Sequence, residues 1–177
     1  MPPRVLRSSL VALFLIVSIV AARHRAETTT TIILVRHAEK AAAPADDPPL
    51  TAEGEARAAA LVRAVRGAGI GVIYSTPFKR TQGTAAPVAS SLGIPVTSFH
   101  PSAGARSYGE LYAAEILAKH RGKVVLVVGH SNTLPGIATA LGARDVPPIP
   151  ESDYTNLFIV SVPETGEVRI IRAEFGR

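Results

Sequence analysis

Thr31-Ile32-Ile33-Leu34-Val35 runs directly into Arg36-His37-Ala38-Glu39-Lys40, and Val124-Val125-Leu126-Val127-Val128-Gly129 runs into His130-Ser131-Asn132. Each apolar run is too short for a helix and rich in β-branched residues, the pattern of a strand buried in a parallel sheet. In open parallel sheets, ligands sit in the crevice beyond the carboxyl ends of the strands. His37 and His130 are therefore predicted to reach one crevice, with the Arg36 guanidinium beside the first.

Around these two strands, helical and extended patterns alternate. The segment 41–50 carries Pro44, Pro48 and Pro49 with Asp46 and Asp47, so it reads as a loop that either lies solvated or covers the crevice. Thr51 is placed to cap a helix running to about Arg66, closed by Gly67 and Gly69. Gly71–Ser75 is a second strand, and Pro77 is predicted to open the next helix in its first turn. That helix holds Lys79, Arg80 and Thr81 early and fades near Leu92-Gly93. Gly83 inside it costs about 1 kcal/mol relative to alanine.

A third strand is expected over Ile94–Phe99, ending at His100-Pro101, followed by a helix over Tyr108–His120 and, after the Val124–Gly129 strand, one over Thr133–Leu141. Leu157–Val162, a Pro163–Gly166 turn and Val168–Ala173 read as a β-hairpin at a sheet edge. The predicted fold class is α/β. It is a three-layer sandwich with a mostly parallel sheet, right-handed crossovers and a C-terminal antiparallel hairpin.

The chain has 177 residues, 47% of them apolar, enough for one domain with its own core. It has no cysteine, which excludes disulfides, thiolate catalysis and cysteine-based zinc sites. Arg4 and Arg7 followed by the apolar run Leu10–Val20 and the small residues Ala21-Ala22 read as a targeting segment over 1–22. Cleavage would place the protein outside the cytoplasm, in the periplasm. Arg23 and Arg25 just beyond the apolar run argue instead for an uncleaved inner-membrane anchor formed by residues 8–22. Residues 23–29 read as a linker and 30–177 as the single folded domain. Net charge falls from +5 to +3 without the first 22 residues. The excess is dispersed with no basic stripe, so no nucleic-acid partner is expected, whereas an anionic small molecule or phosphate suits it.

Arg36, His37, Arg80 and His130 together suit phosphoryl transfer. A neutral imidazole attacks phosphorus and splits hydrolysis into two steps through a covalent phosphoenzyme. Charge then sits on the three equatorial oxygens of the transferring group, so positioning and fixed cationic donors do most of the work. Arginine matches phosphate with a planar fork and does not titrate. The cationic surroundings are expected to lower the pKa of His37, and its other ring nitrogen should donate to a backbone carbonyl that fixes the tautomer. The expected cofactor is none, and no metal is required.

Leu34-Val35-Arg36-His37-Ala38-Glu39 resembles the Arg-His-Gly signature of the histidine phosphatase superfamily, the phosphoglycerate-mutase-like fold. Leu50-Thr51-Ala52-Glu53-Gly54 resembles its Leu-Thr-x-x-Gly helix opening. Tyr74-Ser75-Thr76-Pro77-Phe78-Lys79-Arg80-Thr81 resembles its Ser-Ser-Pro-x-x-Arg segment, and Val128-Gly129-His130-Ser131-Asn132 its second histidine segment. The four lie in order between Thr30 and about Leu141. The resemblance implies a metal-independent phosphatase in which His37 is phosphorylated. Arg36, Arg80 and His130 would form the phosphate pocket, with Asn132 as an added hydrogen-bonding group. The short members that the chain is similar to, the small phosphohistidine phosphatases, imply a phosphoprotein substrate; export implies phosphorylated small molecules of the envelope.

Two departures bear on mechanism. Ala38 stands where the family has Gly, and Gly83 where it often has Gln. Larger members carry a proton-donating carboxylate in an insertion after the third strand, where this chain has only 101–122 with Glu110 as its first carboxylate. Glu110 and the strand-ending His100 are therefore the candidates for a proton donor or a rim group. Glu39 is expected to be structural, and His24 and His120 to be solvated. Two rival readings remain: a binding module that keeps the pocket without turnover, and a metal-dependent hydrolase, for which no carboxylate cluster at ligand spacing is evident. Any membrane contact would come through the N-terminal segment alone.

Overall fold

The computed structural model describes residues 28–102 and 107–176. The targeting segment, most of the linker and His24 lie outside the described residues. Six strands form one sheet: β1 (Thr29–Arg36), β2 (Ile70–Ser75), β3 (Val96–Ser98), β4 (Val124–Gly129), β5 (Asn156–Pro163) and β6 (Arg169–Glu174). Their order is β3-β2-β4-β1-β5-β6. The first four in that order run parallel, whereas β5 and β6 are antiparallel to their neighbours. This is the expected mixed sheet with its C-terminal hairpin at one edge.

Side-chain alternation divides the core in two. Ile32, Leu34, Val125 and Val127 face α3 (Tyr108–Lys119) and α4 (Leu134–Ala140), packing with Tyr112, Ile116, Leu134 and Ile137. Ile33, Val35, Leu126 and Val128 face the other way, toward α1 (Ala52–Ala64) and α2 (Lys79–Leu92), packing with Leu61, Val65, Val88 and Phe175. The central strands bury both faces, so they read in sequence as unbroken apolar runs rather than alternating ones. Among the described residues no helix is long and apolar enough to cross a membrane.

Local chemistry explains the helix starts. The Thr51 side chain accepts from Gly54 N at 3.1 Å, capping α1 as expected. A Cβ on Gly54 would stand 2.3 Å from the Glu39 carbonyl oxygen, so the helix start presses on the loop after β1 and only glycine fits. Helix α2 begins at Lys79, later than the expected start at Pro77. Its N-cap, Phe78, offers no side-chain acceptor; Asp47 Oδ1 accepts from Lys79 N at 2.9 Å instead. Asp47 thus ties the proline-rich loop to the helix N-terminus. Pro87 sits inside α2 without ending it. A proline ring crowds the carbonyl four residues earlier, which here belongs to Gly83. Gly83 also lies under Leu50, whose Cδ1 would be 3.2 Å from an added Cβ.

The third strand is shorter than expected, three residues and largely exposed, because only β2 flanks it. His120, expected to be solvated, instead shares a hydrogen bond with the Tyr74 hydroxyl at 2.9 Å, and that hydroxyl also donates to Glu115.

Candidate active site

Strand register brings the two histidines together. β1 and β4 pair in parallel with Arg36 opposite Gly129, and His37 N continues the ladder onto Gly129 O at 2.9 Å. Each histidine is thus the first residue past a paired strand end, and their ring centroids stand 5.3 Å apart, edge to face. Both line a cavity of about 380 Å³, together with Lys40, Phe78, Arg80, His100, Ser131, Asn132, Thr133 and Glu151. Five expected site residues meet here: His37, His130, Arg80, Asn132 and His100.

His37 is buried, and its Nδ1 lies 2.8 Å from the Ala38 carbonyl oxygen. A carbonyl only accepts, so Nδ1 carries the proton and Nε2 keeps its lone pair. Ala38 N in turn donates to Thr84 Oγ1 at 2.9 Å, and that hydroxyl donates to Arg80 O at 2.7 Å. A buried threonine on α2 therefore holds the nucleophile's loop and the Arg80 backbone in one arrangement. On the other ring, His130 Nε2 is 3.1 Å from the Thr76 hydroxyl, itself 2.7 Å from Thr81 Oγ1.

Both imidazoles are held neutral at physiological pH. The pKa of His37 is lowered to about 4, first by burial and then by the Arg36 and Arg80 charges, against the raising effects of the Ala38 carbonyl and Glu151. That of His130 is lowered to about 3, again first by burial, then by His37 and Arg80. The direction matches the expectation for His37, but the leading cause is desolvation rather than neighbouring cations.

Arg36 is placed differently from the expectation. Adjacent residues of a strand point to opposite faces, so Arg36 follows Ile32 and Leu34 to the α3/α4 side while His37 goes to the other. Its guanidinium is fully buried and gripped by the loop before β5. Nη1 donates to the carbonyls of Pro150, Glu151 and Asp153 at 2.8–2.9 Å, and Nη2 pairs with Glu151 Oε2 at 2.8 Å. Its Cζ also lies 4.1 Å from the Tyr154 ring centroid. Arg36 is absent from the cavity wall. What remains unpaired on it is the buried Nε–H; the buried Nε–H of Arg80 is unpaired as well. Two orphan guanidinium donors in one neighbourhood suit an oxyanion. Arg80 itself stacks over Phe78, with Cζ 4.3 Å from the ring centroid.

Glu110 does not reach the cavity wall. It is the third residue of α3, where it accepts from Ser107 N at 2.6 Å while the Ser107 side chain accepts from its backbone, a capping box. The first carboxylate after the third strand is thus occupied with starting a helix. His100 is exposed at the rim, its ring 5.9 Å from that of Phe78. Glu39 is structural, joined to Arg57 at 2.6–3.0 Å; Arg57 also binds the carbonyls of Phe175 and Gly176, tying the C-terminal end to the loop after β1.

The carboxylate that does line the cavity is Glu151, whose Oε1 accepts from Ser131 Oγ. Nothing in the sequence pointed to it. It follows the irregular run Pro147-Pro148-Ile149-Pro150, far from either histidine motif, and only the grip of that loop on Arg36 brings it in. Among the described residues no cluster of three or more histidine, aspartate or glutamate side chains is arranged to hold a metal ion.

Paired, neutral, strand-ending histidines with an arginine beside them on a phosphoglycerate-mutase-like sheet define a phosphatase-type architecture. Residues 32–111 match the model of the histidine phosphatase superfamily (branch 1). Its fold is similar to that of a protein assigned as the phosphohistidine phosphatase SixA of Agrobacterium tumefaciens, with a TM-score of 0.61 and 25% identity over 82% of this chain and 96% of that one. The protein histidine phosphatase SixA complexed with tungstate gives a TM-score of 0.64 and 21% identity over 81% and 96%. A mycobacterial glucosyl-3-phosphoglycerate phosphatase gives 0.62 and 14% over 80% and 97%. No curated protein matches the sequence. The family-model match over residues 32–111 and the fold together support a phosphatase hydrolase.

Proposed function

We propose that the protein hydrolyses phosphomonoesters or phosphohistidine by double displacement through phospho-His37, without a metal. The observation that carries this reading is the tautomer of His37. Its Nδ1 proton is committed to the Ala38 carbonyl, and burial keeps the ring neutral, so Nε2 holds a free lone pair inside the cavity. In the first step Nε2 bonds to phosphorus while the bond to the leaving group breaks and its electron pair departs with that group. In the second, water bonds to phosphorus, the P–N bond returns its pair to Nε2, and phosphate leaves.

Arg80, His130 and Asn132 surround the space into which the phosphoryl group would fit, with Arg36 as a buried positive charge behind it. The association of a relative of this fold with tungstate, a tetrahedral oxyanion, supports the same use of the pocket. Among the described residues, neither Glu110 nor any other carboxylate of residues 101–122 lies at the cavity wall. Substrates with good leaving groups, such as phosphohistidine, phosphoanhydrides and aryl phosphates, are therefore favoured over alkyl phosphates. Arg4, Arg7 and the apolar run Leu10–Val20 support export or membrane tethering, which would restrict substrates to those outside the cytoplasm.

A binding module without turnover would have no use for a nucleophile poised in one tautomer. The test is turnover of an aryl phosphate by the purified protein and by His37→Ala. Loss of activity in the variant, with its fold retained, is expected. Undiminished turnover would overturn the reading.

A further inference from the structure

In-line displacement fixes where help is needed in the second step. His37 forms the buried floor of the cavity, 4% exposed. Water that attacks phospho-His37 must approach phosphorus from the side opposite Nε2, which is the mouth. Lys40, His100, Asn132 and Glu151 are the exposed polar residues of the cavity lining. Of these, Glu151 alone is an anion. Its side chain is 79% exposed, yet both carboxylate oxygens are held: Oε1 by Ser131 Oγ and Oε2 by Arg36 Nη2. Three backbone carbonyls of the same loop converge on Arg36 Nη1, so the loop carrying Glu151 is clamped to the strand that carries the nucleophile.

We propose that Glu151 is the general base of dephosphorylation, taking the proton of the water that cleaves phospho-His37. This deepens the phosphatase reading and rests on it. As the water oxygen bonds to phosphorus, its proton passes to a Glu151 oxygen and the P–N pair returns to His37 Nε2. Phosphate leaves, and Glu151 gives the proton to solvent. Ser131 and Arg36 favour the carboxylate form and keep its pKa below the ordinary value, with burial opposing them. A group ionised at rest is suited to accept a proton in the second step rather than to supply one in the first. The role is thus distinct from protonating a leaving group, and it leaves the preference for good leaving groups in place. Ser131 is a positioning residue in this scheme.

The test is rapid-quench kinetics of the full-length protein with a labelled aryl phosphate, comparing wild type with Glu151→Gln, which keeps the shape and an acceptor for Arg36. Phospho-His37 is expected to form at a near wild-type rate and to decay about 10²-fold or more slowly, within the usual range for removing a general base. Steady-state rates for aryl phosphates of different leaving group should then converge on one value, preceded by a stoichiometric burst. In Glu151→Gly, added acetate should speed decay, which a merely structural role would not allow. Wild-type decay in Glu151→Gln, or slowed formation alone, would overturn the proposal and leave Glu151 as a latch on Arg36. Absence of any phosphohistidine in wild type during turnover would instead overturn the underlying phosphatase mechanism.

Discussion

Acidification offers a quantitative test, because the nucleophile's protonation midpoint follows from its surroundings. With a pKa lowered from 6.5 to about 4, more than nine-tenths of His37 is neutral at pH 5.5 by the ordinary titration relation, against about one-tenth for an unperturbed imidazole. Turnover limited by His37 should therefore fall by less than about 2-fold between pH 7.5 and 5.5, rather than by about 10-fold. Burial is the leading cause, so removing the Arg80 charge in Arg80→Met should move the midpoint only slightly, even though substrate binding collapses.

The same shift has a stability consequence. The folded state takes up the His37 proton at lower pH than the unfolded state, so the unfolded chain binds more protons between pH 6.5 and about 4. Stability is retained above that window and falls as pH drops through it, by roughly 3 kcal/mol from this residue. The assay is an NMR titration of isotopically labelled histidine in the wild type and Arg80→Met, alongside denaturant unfolding at each pH. A His37 midpoint near 6.5 in the folded wild type would refute the reasoning, and so would an upward move of two units in Arg80→Met.

Gly54→Ala drives a Cβ to 2.3 Å from the Glu39 carbonyl oxygen and should cost about 1–3 kcal/mol, read by chemical denaturation. Thr84→Val removes the acceptor for Ala38 N and the donor to Arg80 O; it should lower kcat, with a stability loss of about 1–3 kcal/mol that comes chiefly from leaving Ala38 N without its partner. Turnover should persist at full rate after exhaustive chelation, checked by assay with metal analysis; restoration only on adding a divalent ion would contradict the proposed chemistry. An aryl phosphate should be hydrolysed far faster than an alkyl phosphate, and near-equal rates would contradict the leaving-group argument.

The sheet and the pairing of the two histidines were legible because the strands are buried on both faces and end at chemically distinctive residues. His37 and His130 needed only the rule that parallel strand ends share a crevice. Arg36 was legible as a neighbour in sequence but not in direction: alternation along β1 turns it away from His37, and its acceptors come from residues 150–153. Glu110 looked catalytic because it is the first carboxylate after β3, whereas its local partner Ser107 makes it a helix cap. Glu151 carries no periodic or motif signal, since an irregular proline-rich loop is placed by tertiary contacts alone. Thr76 and Thr84 were hidden for a related reason: a threonine at a strand end or in a helix is ordinary until the partner across the fold is known.

The central claim is that one ring nitrogen receives the phosphoryl group. Wild-type protein mixed with an isotopically labelled aryl phosphate can be quenched in alkali, and the phosphorylated position read by peptide mass spectrometry and phosphorus–nitrogen NMR coupling. The account expects phosphate on Nε2 of His37. Phosphate on another residue, or on Nδ1, where the Ala38 carbonyl sits, would contradict it.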